Sequence, residues 1–260
     1  MSATIRYAIE GKGDPITLIH GVGANLESWD EVTQHLKSKF TVLRMDLRGH
    51  GLSKPITQNC ELENFVEDVL EVINKAGFQK TDLIGFSMGG MVAQLFAITH
   101  PEHVNRLALI SAIANRTPEE KRRLAKRAKI IREEGVGSVL GASEERWFTE
   151  KFRKTYPGKV KKRLDEWLKN DPASYAEAYR IFALSDVGER IKVIPHQTLI
   201  MTGENDIGSN PRMANFMHKK IQNSKLIILP RLRHSLLVEA PLIVATHLKD
   251  FLNKNSKTSS

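Results

Sequence analysis

The chain has 260 residues, 41% of them hydrophobic, with a formal net charge of +9 and one cysteine, Cys60. That length is enough to bury a sizeable core in one domain; a single cysteine excludes an intramolecular disulfide, and no apolar run approaches the twenty or so residues that span a membrane. Met1-Ser2-Ala3-Thr4-Ile5-Arg6-Tyr7 leads into strand-like sequence rather than a charged segment and apolar core, so no secretory signal is read and a soluble cytoplasmic protein is expected.

Pro15-Ile16-Thr17-Leu18-Ile19 reads as a short apolar strand running into His20-Gly21-Val22-Gly23, and Thr41-Val42-Leu43-Arg44-Met45 as a second strand before Asp46-Leu47-Arg48-Gly49-His50-Gly51. Residues 62–73 have helical spacing that ends before Gly77. Leu83-Ile84 belongs to a buried strand, after which Gly85-Phe86-Ser87-Met88-Gly89-Gly90 opens an apolar helix from Met91 to Ala97. Val104-Asn105-Arg106-Leu107-Ala108-Leu109-Ile110 is the last strand of this half. From Arg116 to about Asp186 the pattern is helical throughout. Strands resume at Gln197-Thr198-Leu199-Ile200-Met201-Thr202-Gly203, followed by Glu204-Asn205-Asp206, and at Lys225-Leu226-Ile227-Ile228-Leu229, followed by Arg231-Leu232-Arg233-His234-Ser235. The last residues, from Asn253 on, carry no apolar periodicity, and 254–260 are expected to be flexible.

G-x-S-x-G between a strand and a helix has a steric logic: Gly85 and Gly89 lack Cβ, so strand and helix cross closely and Ser87 stands exposed on the turn. A serine hydroxyl is a weak nucleophile, so the motif calls for a base, a group that orients it, and donors for an oxyanion. Asp206 and His234 follow Ser87 in that order, each just beyond a strand; Glu204 is a rival for the acid. The backbone N–H groups of Val22 and Met88 are the candidate oxyanion donors, Val22 on a glycine-flanked loop and Met88 at the start of a helix.

The order of these segments is similar to that of the α/β-hydrolase superfamily over nearly the whole chain. The resemblance implies an α/β-hydrolase fold, with a mostly parallel central sheet flanked by helices and a helical lid insertion. It divides the chain into core (1–114), lid (115–186) and core (187–253), ahead of the tail. It gives Asp46-x-Arg48-Gly49-x-Gly51 a structural turn, His20 a bracing role beside the oxyanion loop, and His50 a place near the entrance. It also prefers Asp206 to Glu204. The activity implied is that of a serine hydrolase with a Ser87-Asp206-His234 triad. No cofactor or metal is called for, because the sequence has neither a Cys/His cluster nor a phosphate-cradling loop.

Within the insertion, Thr117-Pro118-Glu119, Glu145-Arg146-Trp147-Phe148-Thr149 and Asp171-Pro172-Ala173-Ser174-Tyr175 resemble the caps of 3-oxoadipate enol-lactonases and related esterases. In such a cap Arg146, or a neighbouring arginine, would pair with a substrate carboxylate while Trp147 lines the pocket. After His234 the chain reads Ser235-Leu236-Leu237-Val238-Glu239, nearer to general carboxylesterases than to the His-Leu-Ser-Asn of enol-lactonases. Carboxylesterase is therefore the first expectation and enol-lactonase the alternative, with a C–C bond hydrolase or a hydrolase-fold signalling receptor behind them. The insertion also carries the excess charge, with 17 Lys/Arg against 9 Asp/Glu between Arg116 and Lys169. The run Lys121-Arg122-Arg123-Leu124-Ala125-Lys126-Arg127-Ala128-Lys129 reads as a solvated face rather than a steering surface. Without a reader motif, nucleic acid is not an expected partner; a small ester or lactone is.

Overall fold

In the computed structural model, residues 4–56 and 59–253 are described; the tail expected to be flexible at 254–260 lies outside them. The first half runs β1 (Tyr7–Gly11), β2 (Asp14–Ile19), α1 (Asp30–Leu36), β3 (Phe40–Met45), α2 (Leu62–Lys75), β4 (Thr81–Phe86), α3 (Met88–Thr99) and β5 (Val104–Ile110). Five helices follow without a strand: α4 (Pro118–Glu134), α5 (Leu140–Trp147), α6 (Glu150–Thr155), α7 (Pro157–Leu168) and α8 (Pro172–Leu184). The chain then returns to the sheet through β6 (Gln197–Gly203), α9 (Pro211–Lys220), β7 (Ser224–Leu229), α10 (Leu236–Glu239) and α11 (Pro241–Leu252).

The seven strands lie in the order β1-β3-β2-β4-β5-β6-β7. Every neighbouring pair is parallel except β1 with β3, which is antiparallel. Parallel strands with helical crossovers must be covered on both faces, which is why β4 and β5 read as near-continuous apolar runs. Side chains alternate accordingly. Leu83, Leu107 and Ile200 pack with α2, α3 and α9 on one face, while Ile84, Ala108, Leu199 and Met201 pack with α1 and α11 on the other. In α3 residues 88–97 are all buried, because this helix is wedged at the centre of the molecule rather than laid on its surface.

The helical insertion starts on a well-formed cap. Glu120 N donates to Thr117 Oγ1 (3.2 Å), Thr117 N donates to Glu120 Oε2 (2.7 Å), and Pro118 occupies the first turn. At its stem Asp186 accepts from the backbone N–H groups of Asn115 (3.0 Å) and Arg116 (2.9 Å). Its middle is tied to the core as well: Ser235 N donates to Trp147 O (2.9 Å), and Thr149 N to Glu239 Oε2 (3.1 Å). These bonds hold α5 and the start of α6 against the loop that carries His234. Among the described residues no helix is long and apolar enough to cross a membrane.

Candidate active site

Ser87 sits between β4 and α3 with φ 55° and ψ −116°, a left-handed φ that a residue with a Cβ adopts only when its surroundings impose it. The imposition is steric. A Cβ on Gly85 would lie 2.3 Å from Gly89 O, and one on Gly89 would lie 2.4 Å from Ile19 O. Strand and helix therefore cross at backbone contact distance, and Ser87 Oγ projects from the corner.

His234, in the loop after β7, places Nε2 3.1 Å from Ser87 Oγ, while Nδ1 lies 2.7 Å from Asp206 Oδ2. With a carboxylate at Nδ1, the proton belongs on that nitrogen, and Nε2 is left to accept from the serine hydroxyl. Asp206 is fully buried, and burial opposes its charge. The facing His234 charge and hydrogen bond, with the amides of Ser209 and Gly208 (2.9 Å each to Oδ1), outweigh that and hold the carboxyl below its ordinary range. Glu204 takes no part: its Oε2 accepts from Arg231 N at 2.8 Å.

The loop after β2 passes directly over the serine, where a Cβ on Gly21 would lie 3.0 Å from Ser87 Cβ. The Met88 N–H is the first of its helix and has no intrahelical acceptor. The Val22 N–H, on that loop, donates to no backbone oxygen among the described residues. His20 joins this loop to the next strand. Its Nδ1–H donates to Gly21 O (2.7 Å), and its Nε2 accepts from Leu47 N (2.9 Å). Both bonds suit a neutral ring, and burial pushes His20 down to about 4. His50 is not near an entrance, as the sequence had suggested. It is 2% exposed, edge-on to the His20 ring at 5.2 Å, and pushed down to about 3 by burial and by the His20 charge. Gly49 and Gly51, with φ 73° and 54°, fold the turn inward and carry His50 beneath the loop.

Above Ser87 and His234 the insertion encloses a cavity of about 70 Å³, room for several waters or a small acid. Trp147, Trp167, Tyr175 and Tyr179 form an aromatic wall, with successive ring centroids 4.8, 5.8 and 6.1 Å apart. Arg127, Arg146 and Arg163 also line it, and among the described residues no aspartate or glutamate does. Arg146 and Trp147 line this cavity, and Arg127 and Arg163, which the sequence did not single out, line it too. Arg127 belongs to the run read as facing water, yet it turns inward and packs 5.9 Å from the Tyr179 ring centroid. Arg163 lies 4.9 Å from the Trp147 centroid and donates Nη1 to Gly23 O (3.0 Å). Burial pushes Arg163 down to about 10, and none of the three arginines forms an ion pair among the described residues. Elsewhere on the insertion, lysines sit in exposed pairs such as Lys154–Glu150 and Lys161–Asp165.

Comparison with known proteins agrees with this architecture. Residues 14–129 match the family described as alpha/beta hydrolase fold. The chain is 28% identical over 241 residues to an (E)-2-((N-methylformamido)methylene)succinate hydrolase of Acinetobacter baylyi, covering 92% of this chain and 90% of that protein. It is 27% identical to 3-oxoadipate enol-lactonase 2 of the same organism, covering 86% and 84%. Among solved structures, a thermophilic esterase from Thermogutta terrifontis superposes with a TM-score of 0.89 at 27% identity, over 96% of this chain and 93% of that one. The enol-lactonase from Burkholderia xenovorans LB400 shares the fold with a TM-score of 0.89 at 24% identity, over 96% of each chain. The sheet order and the helical insertion give the chain an α/β-hydrolase fold, and in sequence it is similar to esterase- and lactonase-type enzymes that have it.

Proposed function

We propose that the protein is a serine hydrolase of small lactones or esters that carry a carboxylate, with Ser87, His234 and Asp206 as its catalytic triad. The observation that carries this reading is the hydrogen-bonded series Ser87–His234–Asp206 opening into a cavity that holds three arginines and no acidic side chain. Burial desolvates Arg127 and Arg163, and none of the three arginines forms an ion pair among the described residues, a cost that an anionic ligand offsets.

In this mechanism Ser87 Oγ attacks the carbonyl carbon as His234 Nε2 takes its proton. The tetrahedral oxyanion is held by the N–H groups of Val22 and Met88, together worth several kcal/mol if they act as oxyanion donors elsewhere do, at about 3 kcal/mol each. As the C–O bond breaks, His234 returns the proton to the leaving oxygen; in a lactone that oxygen stays tethered to the acyl chain. Water then gives a proton to His234, attacks the acyl carbon and frees Ser87, leaving a carboxylic acid. Asp206 keeps the imidazole in the productive tautomer and stabilises its charged form.

The relatives shift the weight from a general carboxylesterase, the first expectation, toward the lactonase alternative. One is named for hydrolysis of a succinate derivative and two as 3-oxoadipate enol-lactonases, all three anionic in their chemistry; the Thermogutta structure is described as malate-bound. The experiment is a comparison of kcat/KM for a carboxylate-bearing enol-lactone, a neutral lactone and a neutral aryl ester, in wild type and Ser87→Ala. Preference for the first, lost in the variant, supports the reading; preference for the neutral aryl ester would restore the carboxylesterase.

A further inference from the structure

We propose that Arg127, Tyr179 and Ser209 form a carboxylate-binding subsite in the cavity, and that this subsite rather than Arg146 anchors the acidic group of the substrate. The inference rests on the hydrolase reading above and adds to it the residues that select the substrate.

Four buried polar atoms of cavity-lining residues lack a hydrogen-bond partner of good geometry among the described residues: Arg127 Nε, Trp167 Nε1, the Tyr179 hydroxyl and Ser209 Oγ. Trp167 Nε1 faces the neighbouring Tyr175, whereas Arg127 and Tyr179 adjoin each other and, with Ser209, carry the groups an anion can meet together. Tyr179 is 3% exposed and Ser209 1%. Buried donors are almost always paired, so Arg127, Tyr179 and Ser209, set around one cavity, describe the ligand that completes them. Arg127 supplies a charge and an N–H, and the two hydroxyls supply an O–H each. A group that answers all three must be anionic and must accept at more than one oxygen, which a carboxylate does. Among the described residues no acidic side chain lines the cavity to compete for it.

The position of Arg127 is fixed before the ligand arrives. Its Nη2 donates to Ser143 Oγ (2.5 Å) and lies 3.4 Å from Val139 O, while the guanidinium carbon packs over the Tyr179 ring. One edge is thereby tied to the start of α5, and Nε is left to the cavity. The other two arginines are placed for different work. Arg163 is engaged by Gly23 O. Arg146 also borders an outer groove with Glu119, Glu145 and Arg233, so it stands at the mouth rather than at the anchor. Ser209 follows Asp206 by three residues and gives its amide to that carboxylate, so the loop that orients His234 also presents a hydroxyl to the substrate.

The test uses glutarate as a product-like probe, binding to full-length Ser87→Ala protein by calorimetry. On that background Arg127→Gln is expected to weaken glutarate about tenfold to a hundredfold, and Tyr179→Phe and Ser209→Ala about three- to tenfold each. Tyr179→Phe and Ser209→Ala remove one oxygen apiece and guard against a folding defect in the arginine variant; circular dichroism checks all three. In the wild-type background the readout is the ratio of kcat/KM for an aryl ester of glutaric acid to that of its methyl-blocked counterpart. This ratio should fall about tenfold in Tyr179→Phe and further in Arg127→Gln. Glutarate affinity that is absent in Ser87→Ala, or unchanged in folded Arg127→Gln and Tyr179→Phe, overturns the subsite. Turnover of esters with an unchanged ratio overturns it too, while leaving the hydrolase reading intact. Arg127-dependent glutarate binding in a protein that hydrolyses neither esters nor lactones keeps the subsite and overturns the hydrolase.

Discussion

Arg163, from the helical insertion, donates a hydrogen bond to the carbonyl oxygen of Gly23 across 3.0 Å, so the insertion grips the loop that carries Val22. Gly23 is enclosed on the same side by aromatic rings: with φ 71°, it has no room for a Cβ, which would lie 2.5 Å from Trp167 and 2.9 Å from Tyr175. The insertion is therefore more than a cover. Through Gly23 O it holds the Gly23–Ala24 peptide, and so braces the loop just beyond Val22, whose N–H is one of the two assigned to the oxyanion.

Arg163→Ala should accordingly reduce kcat more than it raises KM. Loss of a whole oxyanion donor costs about a hundredfold to a thousandfold, and a loosened one should cost nearer tenfold. Steady-state kinetics on a neutral aryl ester isolates this effect, since such a substrate has no carboxylate for Arg163 to meet. A rise in KM at constant kcat would assign Arg163 to binding alone.

Asp206→Asn should lower kcat by about four orders of magnitude, because an amide facing His234 Nδ1 favours the wrong imidazole tautomer. Glu204→Gln should change kcat less than about threefold, since Glu204 is occupied with the Arg231 amide. The two variants, measured side by side on one substrate, settle which acid orients the base.

Acid should destabilise the fold through His20 and His50. Unfolded, both take up protons near 6.5, whereas burial delays protonation in the fold to about 4 for His20 and about 3 for His50. Below 6.5 the unfolded chain binds more protons, so this stability is complete above pH 6.5 and declines as pH falls through 4. Urea midpoints measured from pH 7 to pH 4 should fall, and His20→Asn should flatten that decline; a slope identical to wild type would contradict the assignment.

If the inward arginines select an anion, added salt should lower kcat/KM for a carboxylate-bearing substrate and leave a neutral analogue of the same size nearly unaffected. Arg146→Ala, at the mouth of the cavity, should weaken this salt dependence. Parallel salt responses of the two substrates would place all the basic surplus on the solvated surface.

The sequence displays the elbow because its constraints are local. A residue with a Cβ at 85 or 89 would collide with the backbone that it must cross, so the motif survives only as glycine around a serine. Asp206 and His234 are legible for a related reason, since a parallel sheet gathers the residues that follow its strands at one edge. Arg127 was not legible. It lies in α4 among Lys126, Lys129 and other charges, and only the packing of α4 against α8 shows which of them turns inward. Tyr179 and Ser209 are ordinary residues for a helix and a loop; what distinguishes them is a buried hydroxyl without a well-formed hydrogen bond among the described residues, a property of the fold alone. His50 was misplaced because its position depends on two left-handed glycines that bend the turn under His20.

The central claim is that Ser87 is the nucleophile, and mass spectrometry of the trapped acyl-enzyme tests it most directly. An aryl ester of glutaric acid, mixed with the enzyme and quenched in acid within the first turnovers, should leave one glutaryl group on the peptide containing Ser87. Ser87→Ala should leave none. A glutaryl group on another residue, or rapid turnover in Ser87→Ala, would contradict the account.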